Sequence, residues 1–312
     1  MQLMNKPHAA FIVGPTGVGK TNLSLEIAEE LNAEIISADS RYLYRRMDIG
    51  TAKPTREELN RIPHHFVNVA EIDTPWSMAL FKSKALAAIK DIQKRQKLPL
   101  IVGGTGQYIR ALIEGWDIPA QHNDPALREF IMKWSEEAGG NELHHRLSIL
   151  DPEAAVSIDP RNVRRTVRAL EVILHTGKKF SEQRSKKPID FKYKIAGLTL
   201  PRELLYQRID DRISNMINSG LITEVESLLA DGFSLKDPPL SAIGYPEIIH
   251  FLQGNCSLEE SIVEIKKRTR QFVRRQANWF KPTDDRIMWF DVSSNQREKI
   301  IRFFQDTKGW RN

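Results

Sequence analysis

The segment Gly14-Pro15-Thr16-Gly17-Val18-Gly19-Lys20-Thr21 constrains this chain more than any other. It matches G-x-x-x-x-G-K-[ST] without deviation. A short continuous apolar run, Ala9 to Val13, precedes it, and Leu23, Ile27 and Leu31 recur at spacing four behind it. The order predicted is a strand buried on both faces, a glycine-rich turn and an amphipathic helix. Glycines let the backbone N–H groups of such a turn converge on an anion, and the helix adds the positive end of its dipole. Lys20 supplies a point charge, and the Thr21 hydroxyl is placed to ligate Mg²⁺. Residues 14–21 therefore predict a diphosphate or triphosphate site.

The same pattern continues along the first third of the chain. A second strand is expected at Glu34 to Ala38, ending at Asp39-Ser40, and a third at Leu98 to Val102, running into Gly103-Gly104-Thr105-Gly106. A helix with Met78, Phe81, Ala85 and Ile89 on one stripe lies between them. Strands alternating with helices imply a parallel sheet, whose ligands bind beyond the carboxyl ends of the strands. That edge gathers residues 14–21, Asp39 and Thr105. After Trp116 turn clusters separate helical stretches. A helix with Asp159 at its N-cap, Pro160 in its first turn and a stripe of Val163, Val167, Leu170 and Leu174 ends at Gly177. A strand at Lys194 to Leu198 re-enters the sheet, and from Pro201 onward the pattern is mostly helical. The expected fold is α/β: a P-loop NTPase-like parallel sheet core with a helical C-terminal region (1–116 and 191–312), and a mainly helical insertion over 117–190.

Composition excludes several classes. Apolar runs are far shorter than the ~20 residues of a membrane-spanning helix, and no secretory signal pattern opens the chain. Cys256 is the only cysteine, which removes intramolecular disulfides and cysteine-based zinc fingers. The adjacent pairs His64-His65 and His144-His145 lack the i, i+4 spacing of helical metal ligands, so structural or surface roles and no zinc are expected. A cytoplasmic protein fits these features.

A P-loop specifies phosphates, not ATP. The third strand ends in glycines and Thr105 rather than in an acid, and Asp39 is followed by nothing resembling a hydrolysis switch. Three stretches together, residues 14–21, residues 37–54 with Met47-Asp48-Ile49-Gly50-Thr51-Ala52-Lys53-Pro54, and residues 102–112, resemble the tRNA dimethylallyltransferase (tRNA isopentenyltransferase) family. Further matches follow in family order: Pro63-His64-His65, Arg161 to Arg164, Leu205 to Ile209, Gly220-Leu221, Gly244-Tyr245 and Arg274 to Phe280. The resemblance spans nearly the whole chain. It implies transfer of a dimethylallyl group from its diphosphate to N6 of an adenine beside the tRNA anticodon, with release of diphosphate and help from Mg²⁺. The absent zinc finger points to the short bacterial type, expected to act as a monomer. The chain departs from the family at Tyr42 (usually Gln), Leu43, Arg46, Trp76 and Gln107.

With this resemblance the candidate roles become specific. An exocyclic adenine amine needs a proton acceptor, for which Asp39 is the candidate general base; its alternatives are capping a turn or holding metal through water. Thr105 either binds a bridging oxygen, orients the amine, or satisfies its own loop. Lys20 and the P-loop amides stabilise the leaving diphosphate. Arg208 and Arg212 share a helical face, where they either reach that diphosphate or pair with Asp210 and Asp211. Ser40, Arg41 and Tyr42, beside Asp39, are expected to face the nucleotide. Positive charge concentrates in three tracts: 161–168, without an acid, 178–194, with seven basic residues against two acids, and 264–281, with seven against Glu264 alone. Arg161, Arg164, Arg165, Lys267, Arg270, Arg274 and Arg275 are the expected phosphate-backbone contacts on tRNA. The rivals are a small-molecule kinase, a transferase acting on free adenylate, and a non-catalytic RNA-binding protein.

Overall fold

The structure, a computed structural model, describes residues 7–116, 124–183 and 186–311. Those residues fall into two compact units, one drawn from 1–76, 81–113 and 189–312, the other from 77–80 and 114–188.

The first unit is built on a six-stranded, all-parallel sheet of β1 (His8–Val13), β2 (Ala33–Ser37), β3 (His64–His65), β4 (Leu98–Gly103), β5 (Lys192–Thr199) and β6 (Ile287–Asp291) in the order β3-β2-β4-β1-β5-β6. β1 is central, with Ile12 paired to Val102 on one side and to Ala196 on the other. Ala9 to Val13 have no solvent exposure, as expected of a run with no polar face. The helices of this unit are α1 (Lys20–Glu30), α2 (Arg56–Arg61), α3 (Met78–Lys94, whose first residues fall in the other unit), α4 (Gly106–Ile113), α9 (Arg202–Asn218), α10 (Leu221–Ala230), α11 (Tyr245–Leu252), α12 (Leu258–Ala277) and α13 (Arg297–Gln305).

The parallel α/β core and its P-loop follow the sequence pattern, with three local differences. β6 lies in a stretch expected to be mostly helical. Five residues of mixed apolar character carry no decisive period, and pairing with β5 decides their state. β3 is a two-residue edge strand at the histidine pair, where His65 Nε2 meets Glu34 at 2.8 Å and His64 Nδ1 meets the Ile62 carbonyl. In α1 the buried stripe is Ser24, Leu25, Ile27 and Ala28, whereas Leu23 and Leu31 are half-buried.

The second unit comprises α5 (Pro125–Ala138), α6 (Gly140–Leu150), α7 (Pro152–Ser157) and α8 (Val163–Thr176) around Ile131, Leu143, Leu147, Ala154, Val167 and Leu170. α8 is capped by Asn162, not by Asp159, because Asp159 is engaged with the backbone N–H and guanidinium of Arg161. Gly177 closes the helix in the left-handed conformation. Leu174, expected on the apolar stripe, is 52% exposed, and Thr166 takes a buried position instead. The buried Asp151 carboxylate caps α7 through the Ala154 N–H and accepts from both the backbone and the hydroxyl of Ser181. Burial acts to raise its pKa, but the Ser181 and Ala154 hydrogen bonds outweigh burial and hold the carboxyl below its ordinary value. Its stabilising contribution is thus present at neutral pH and lost as pH falls through the carboxyl range. Asp151→Ala leaves these donors unpaired and is expected to cost on the order of 2–4 kcal/mol. Urea unfolding followed by protease resistance of residues 124–183 checks this; an unchanged midpoint contradicts it.

Candidate active site

β1, β2 and β4 all deliver their carboxyl ends to one edge, which places the P-loop, Asp39 and Thr105 side by side as the parallel register requires. A cavity of about 440 Å³ opens there, lined by Thr16, Asp39, Ser40, Arg41, Thr51, Thr105 and Arg212 on its polar side. Ile209, Ile213, Met216, Ala242, Ile243 and Ile265 form an apolar wall of the same cavity, and Arg268, Phe272, Arg275 and Gln276 of α12, with Trp279 just beyond the helix, complete it.

Gly14, Pro15, Thr16, Gly17, Val18 and Gly19 form the turn between β1 and α1. Gly19 caps α1 without offering a side-chain acceptor to its N–H groups. The Lys20 ammonium folds over the turn and donates to the carbonyls of Gly14 (3.0 Å) and Pro15 (2.8 Å). Burial drives its pKa down to about 8; Asp39 opposes that shift, and Arg212 adds to it. Arg208 and Arg212 of α9 both reach this loop: Arg208 donates to the Val18 carbonyl at 3.4 Å, and Arg212 to the Thr16 hydroxyl at 3.4 Å and the Thr51 carbonyl at 3.0 Å. Neither pairs with Asp210, which is taken by Arg270 at 2.8 Å and Lys266 at 3.7 Å.

Asp39 follows β2. One oxygen, Oδ1, accepts the Arg41 N–H at 2.9 Å, so the residue does cap a turn and retains Oδ2. The Thr105 hydroxyl accepts from the Ser40 N–H at 3.2 Å, which leaves its own proton to be donated elsewhere. Arg41 lines the cavity with its guanidinium bound to the Pro238 and Pro239 carbonyls and the Ser241 hydroxyl. Tyr42 departs from expectation: it does not line the cavity, and its phenol donates to the Ala52 carbonyl at 2.9 Å. Burial, reinforced by Asp39, pushes that phenol up to about 12, while Arg212 and a hydrogen bond with Thr21 oppose the shift.

Several supporting residues receive no role in the sequence reading. Glu224 accepts three consecutive N–H groups, from Asp48, Ile49 and Gly50, and the Tyr245 hydroxyl. Buried Lys53 ties the Tyr44 carbonyl, Asp48 and Asn68 together. The Met47 to Pro54 segment is thereby held as a rigid turn that presents the Thr51 carbonyl to Arg212. Gln276, 4% exposed, accepts the Thr16 N–H at 2.9 Å and donates to the Gly104 carbonyl at 3.1 Å. The glycines after β4 admit this packing: a Cβ on Gly104 would lie 2.3 Å from the Gln276 amide, and one on Gly106 2.3 Å from Trp279. No signal of periodicity or spacing marks Glu224 or Gln276, since both act across more than 170 residues.

The expected RNA contacts divide. On α12 the guanidinium of Arg270 is committed to Asp210 and lies over the Tyr206 ring, and Lys267 pairs with Glu264. Arg274 and Arg275 are exposed and find no ion pair among the described residues, Arg275 lying 5.9 Å from the Phe272 ring centre. In the second unit Arg161 is paired with Asp159, just outside the window expected to lack acids, and Arg168 with Glu171. Arg164 and Arg165 remain exposed and have no ion pair among the described residues.

The Lys20 environment generates a pH dependence. An anion binds the protonated amine, so diphosphate affinity should hold below about pH 8 and fall above it, by up to about tenfold per pH unit. Calorimetric titration with inorganic diphosphate at successive pH values checks this. Lys20→Arg, which keeps its charge, should shed the break relative to the parent; an identical profile in both proteins contradicts the assignment.

Comparison with known proteins identifies the family. Residues 42–283 match the family described as IPP transferase. The tRNA dimethylallyltransferase of Roseiflexus castenholzii is 47% identical over 86% of this chain and 88% of its own, and that of Bacillus pumilus is 44% identical over 96% and 95%. Among solved structures, the full-length tRNA isopentenylpyrophosphate transferase of Bacillus halodurans superposes with a TM-score of 0.71 at 37% identity, covering 96% of each chain. A eukaryotic dimethylallyltransferase acting on tRNA gives a TM-score of 0.82 at 28% identity, over 96% of this chain and 79% of that one. The chain belongs to the IPP transferase family.

Proposed function

We propose that this protein transfers a dimethylallyl group from dimethylallyl diphosphate to N6 of an adenine beside the anticodon of tRNA, releasing diphosphate. The observation that carries the reading is the composition of one cavity. Its polar side joins Thr16 of the P-loop to Asp39 and Thr105, while Ile209, Ile213, Met216 and Ile243 supply an apolar wall. A five-carbon isoprenoid chain needs that wall next to a phosphate cradle. Phosphoryl transfer from ATP does not, and a binding protein needs neither.

In this reading the diphosphate rests on the P-loop amides, Lys20, Arg208 and Arg212. As the allylic C–O bond breaks, the growing negative charge is met by these fixed donors. The exocyclic amine forms the new C–N bond and surrenders its proton to Asp39 Oδ2. Thr105 orients the amine through the proton its hydroxyl keeps free. The adenine must leave its stack to reach the sheet edge, and an anticodon loop makes that cheap. Arg274 and Arg275, with Arg164 and Arg165, supply backbone contacts.

The residues present fit Mg²⁺. Thr21 lies in the first turn of α1 beside Lys20 and offers a hydroxyl oxygen, the hard donor this ion prefers. One or two protein oxygens completed by phosphate oxygens and water is the usual donor set for this ion. Thr21 would hold it, and its charge would help neutralise the leaving diphosphate. No described helix is long and apolar enough to cross a membrane. A monomer that works in the cytoplasm, where its tRNA substrate is, completes the proposal.

Incubation with dimethylallyl diphosphate, Mg²⁺ and unmodified tRNA, then mass spectrometry of the nucleoside digest, should yield N6-dimethylallyl adenosine. No prenylated nucleoside alongside phosphorylation of a metabolite by ATP would sink the reading. Asp39→Asn should lower kcat by about 10²- to 10⁴-fold with little change in tRNA affinity; near-normal kcat removes Asp39 from the base role. Replacing Arg274 and Arg275 by Ala should weaken tRNA binding and flatten the log affinity versus log salt slope by roughly one to two units. A normally folded double variant with unchanged slope would show that α12 does not carry the RNA.

A further inference from the structure

Gln276 occupies a position that none of the roles above requires. The cavity-facing stripe of α12 runs through Ile265, Arg268, Phe272, Arg275 and Gln276 to Trp279 just beyond the helix. Along this stripe Arg275 is exposed, whereas Gln276, its neighbour in sequence, is almost fully buried. The Gln276 amide uses both of its ends. Its oxygen holds a P-loop N–H, that of Thr16, and its nitrogen holds the carbonyl of Gly104, the residue before Thr105. Three segments separated by 172 and 260 residues therefore meet on one planar group.

A glutamine is an unusual choice for such a place unless both ends are needed. An apolar side chain would fill the space, yet it would leave a buried N–H and a buried carbonyl unpaired. A carboxylate could accept from Thr16 but would face the Gly104 carbonyl with a second acceptor. The close approach of Gly104 shows how tightly the amide is seated, since a single added methyl would overlap it.

We infer that Gln276 is a positioning residue for the transfer reaction. It sets the distance between the loop that holds the leaving diphosphate and the loop that carries Thr105, and it fixes both to the helix bearing Arg274 and Arg275. The inference rests on the prenyl-transfer reading, in which the amine and the allylic carbon must be brought into line across those two loops. Misplacement by about 1 Å costs such a reaction about 100-fold, while the binding of either substrate by its own contacts is little affected. Gln276 touches neither substrate in this account; it acts through Thr16 and Thr105.

The test compares Gln276→Met, Gln276→Glu and Gly104→Ala with the parent enzyme in tRNA prenylation, alongside tRNA affinity measured by filter binding and the folded fraction measured by thermal melt. Gln276→Met, close in size, should lower kcat about 10- to 100-fold with tRNA affinity within about twofold. Gln276→Glu should fall between the two and recover toward the parent as pH drops, because the protonated acid can again donate to Gly104. Gly104→Ala should lower kcat in the parent and have little further effect in a Gln276→Ala background, where the added methyl keeps only a 3.4 Å van der Waals contact with the Gly14 carbonyl. This non-additivity is the mark of direct coupling. A parent protein that fails to prenylate tRNA overturns the functional reading itself. An active parent whose Gln276→Met variant keeps full kcat overturns the positioning role. A loss that only tracks the folded fraction, or a Gly104→Ala effect of equal size in both backgrounds, overturns it as well.

Discussion

The parallel pairing of β1 with β4 on one side and β5 on the other is the constraint from which the site follows. Register across β1 sets Val13 level with Gly103 and with Gly197, so the chain leaves each strand at the same edge. β2 joins through β4, with Ser37 opposite Val102, and brings Asp39 to that edge. The P-loop, the acid and the Thr105 loop are thus neighbours because of a backbone hydrogen-bond ladder, before any side chain is considered. A slip of one residue in β4 would turn its side chains to the wrong faces and carry Thr105 away from Ser40.

The second layer of organisation is electrostatic and local. Each catalytic candidate is anchored by one of its polar atoms and keeps another. Asp39 caps the Arg41 N–H with one oxygen, and Thr105 accepts from Ser40 while keeping its proton. This arrangement preorganises a site without neutralising it. The same economy explains the sorting of the basic tract on α12. Arg270 is spent on Asp210 and Arg268 on Glu247, which bind α12 to α9 and α11, while Arg274 and Arg275 stay exposed.

Much of this was legible in the sequence, for physical reasons. Buried parallel strands leave continuous apolar runs, and the phosphate turn demands glycines at fixed offsets, so β1, β2, β4 and residues 14–21 stand out locally. What was hidden is non-local. β6 is a strand because β5 offers it a free edge, and Ile287 to Asp291 say little alone. Asn162 displaces Asp159 as a cap because Arg161 claims the aspartate. Tyr42, three residues after Asp39 in sequence, donates to the Ala52 carbonyl and leaves the cavity to Ser40 and Arg41. Charge counts could not tell Arg270 from Arg274, since the acid that decides between them lies on α9. Glu224 and Gln276 hold the site from a distance that no spacing rule spans.

The central claim is that this P-loop grips a leaving diphosphate while the cavity beside it delivers a prenyl group to RNA. Phosphorus NMR of a reaction containing the protein, Mg²⁺, tRNA, dimethylallyl diphosphate and ATP tests it most directly. The account predicts one inorganic diphosphate released for each dimethylallyl group gained by the tRNA, with the ATP resonances unchanged. Consumption of ATP to orthophosphate or to a phosphorylated product, with dimethylallyl diphosphate left intact, would contradict it.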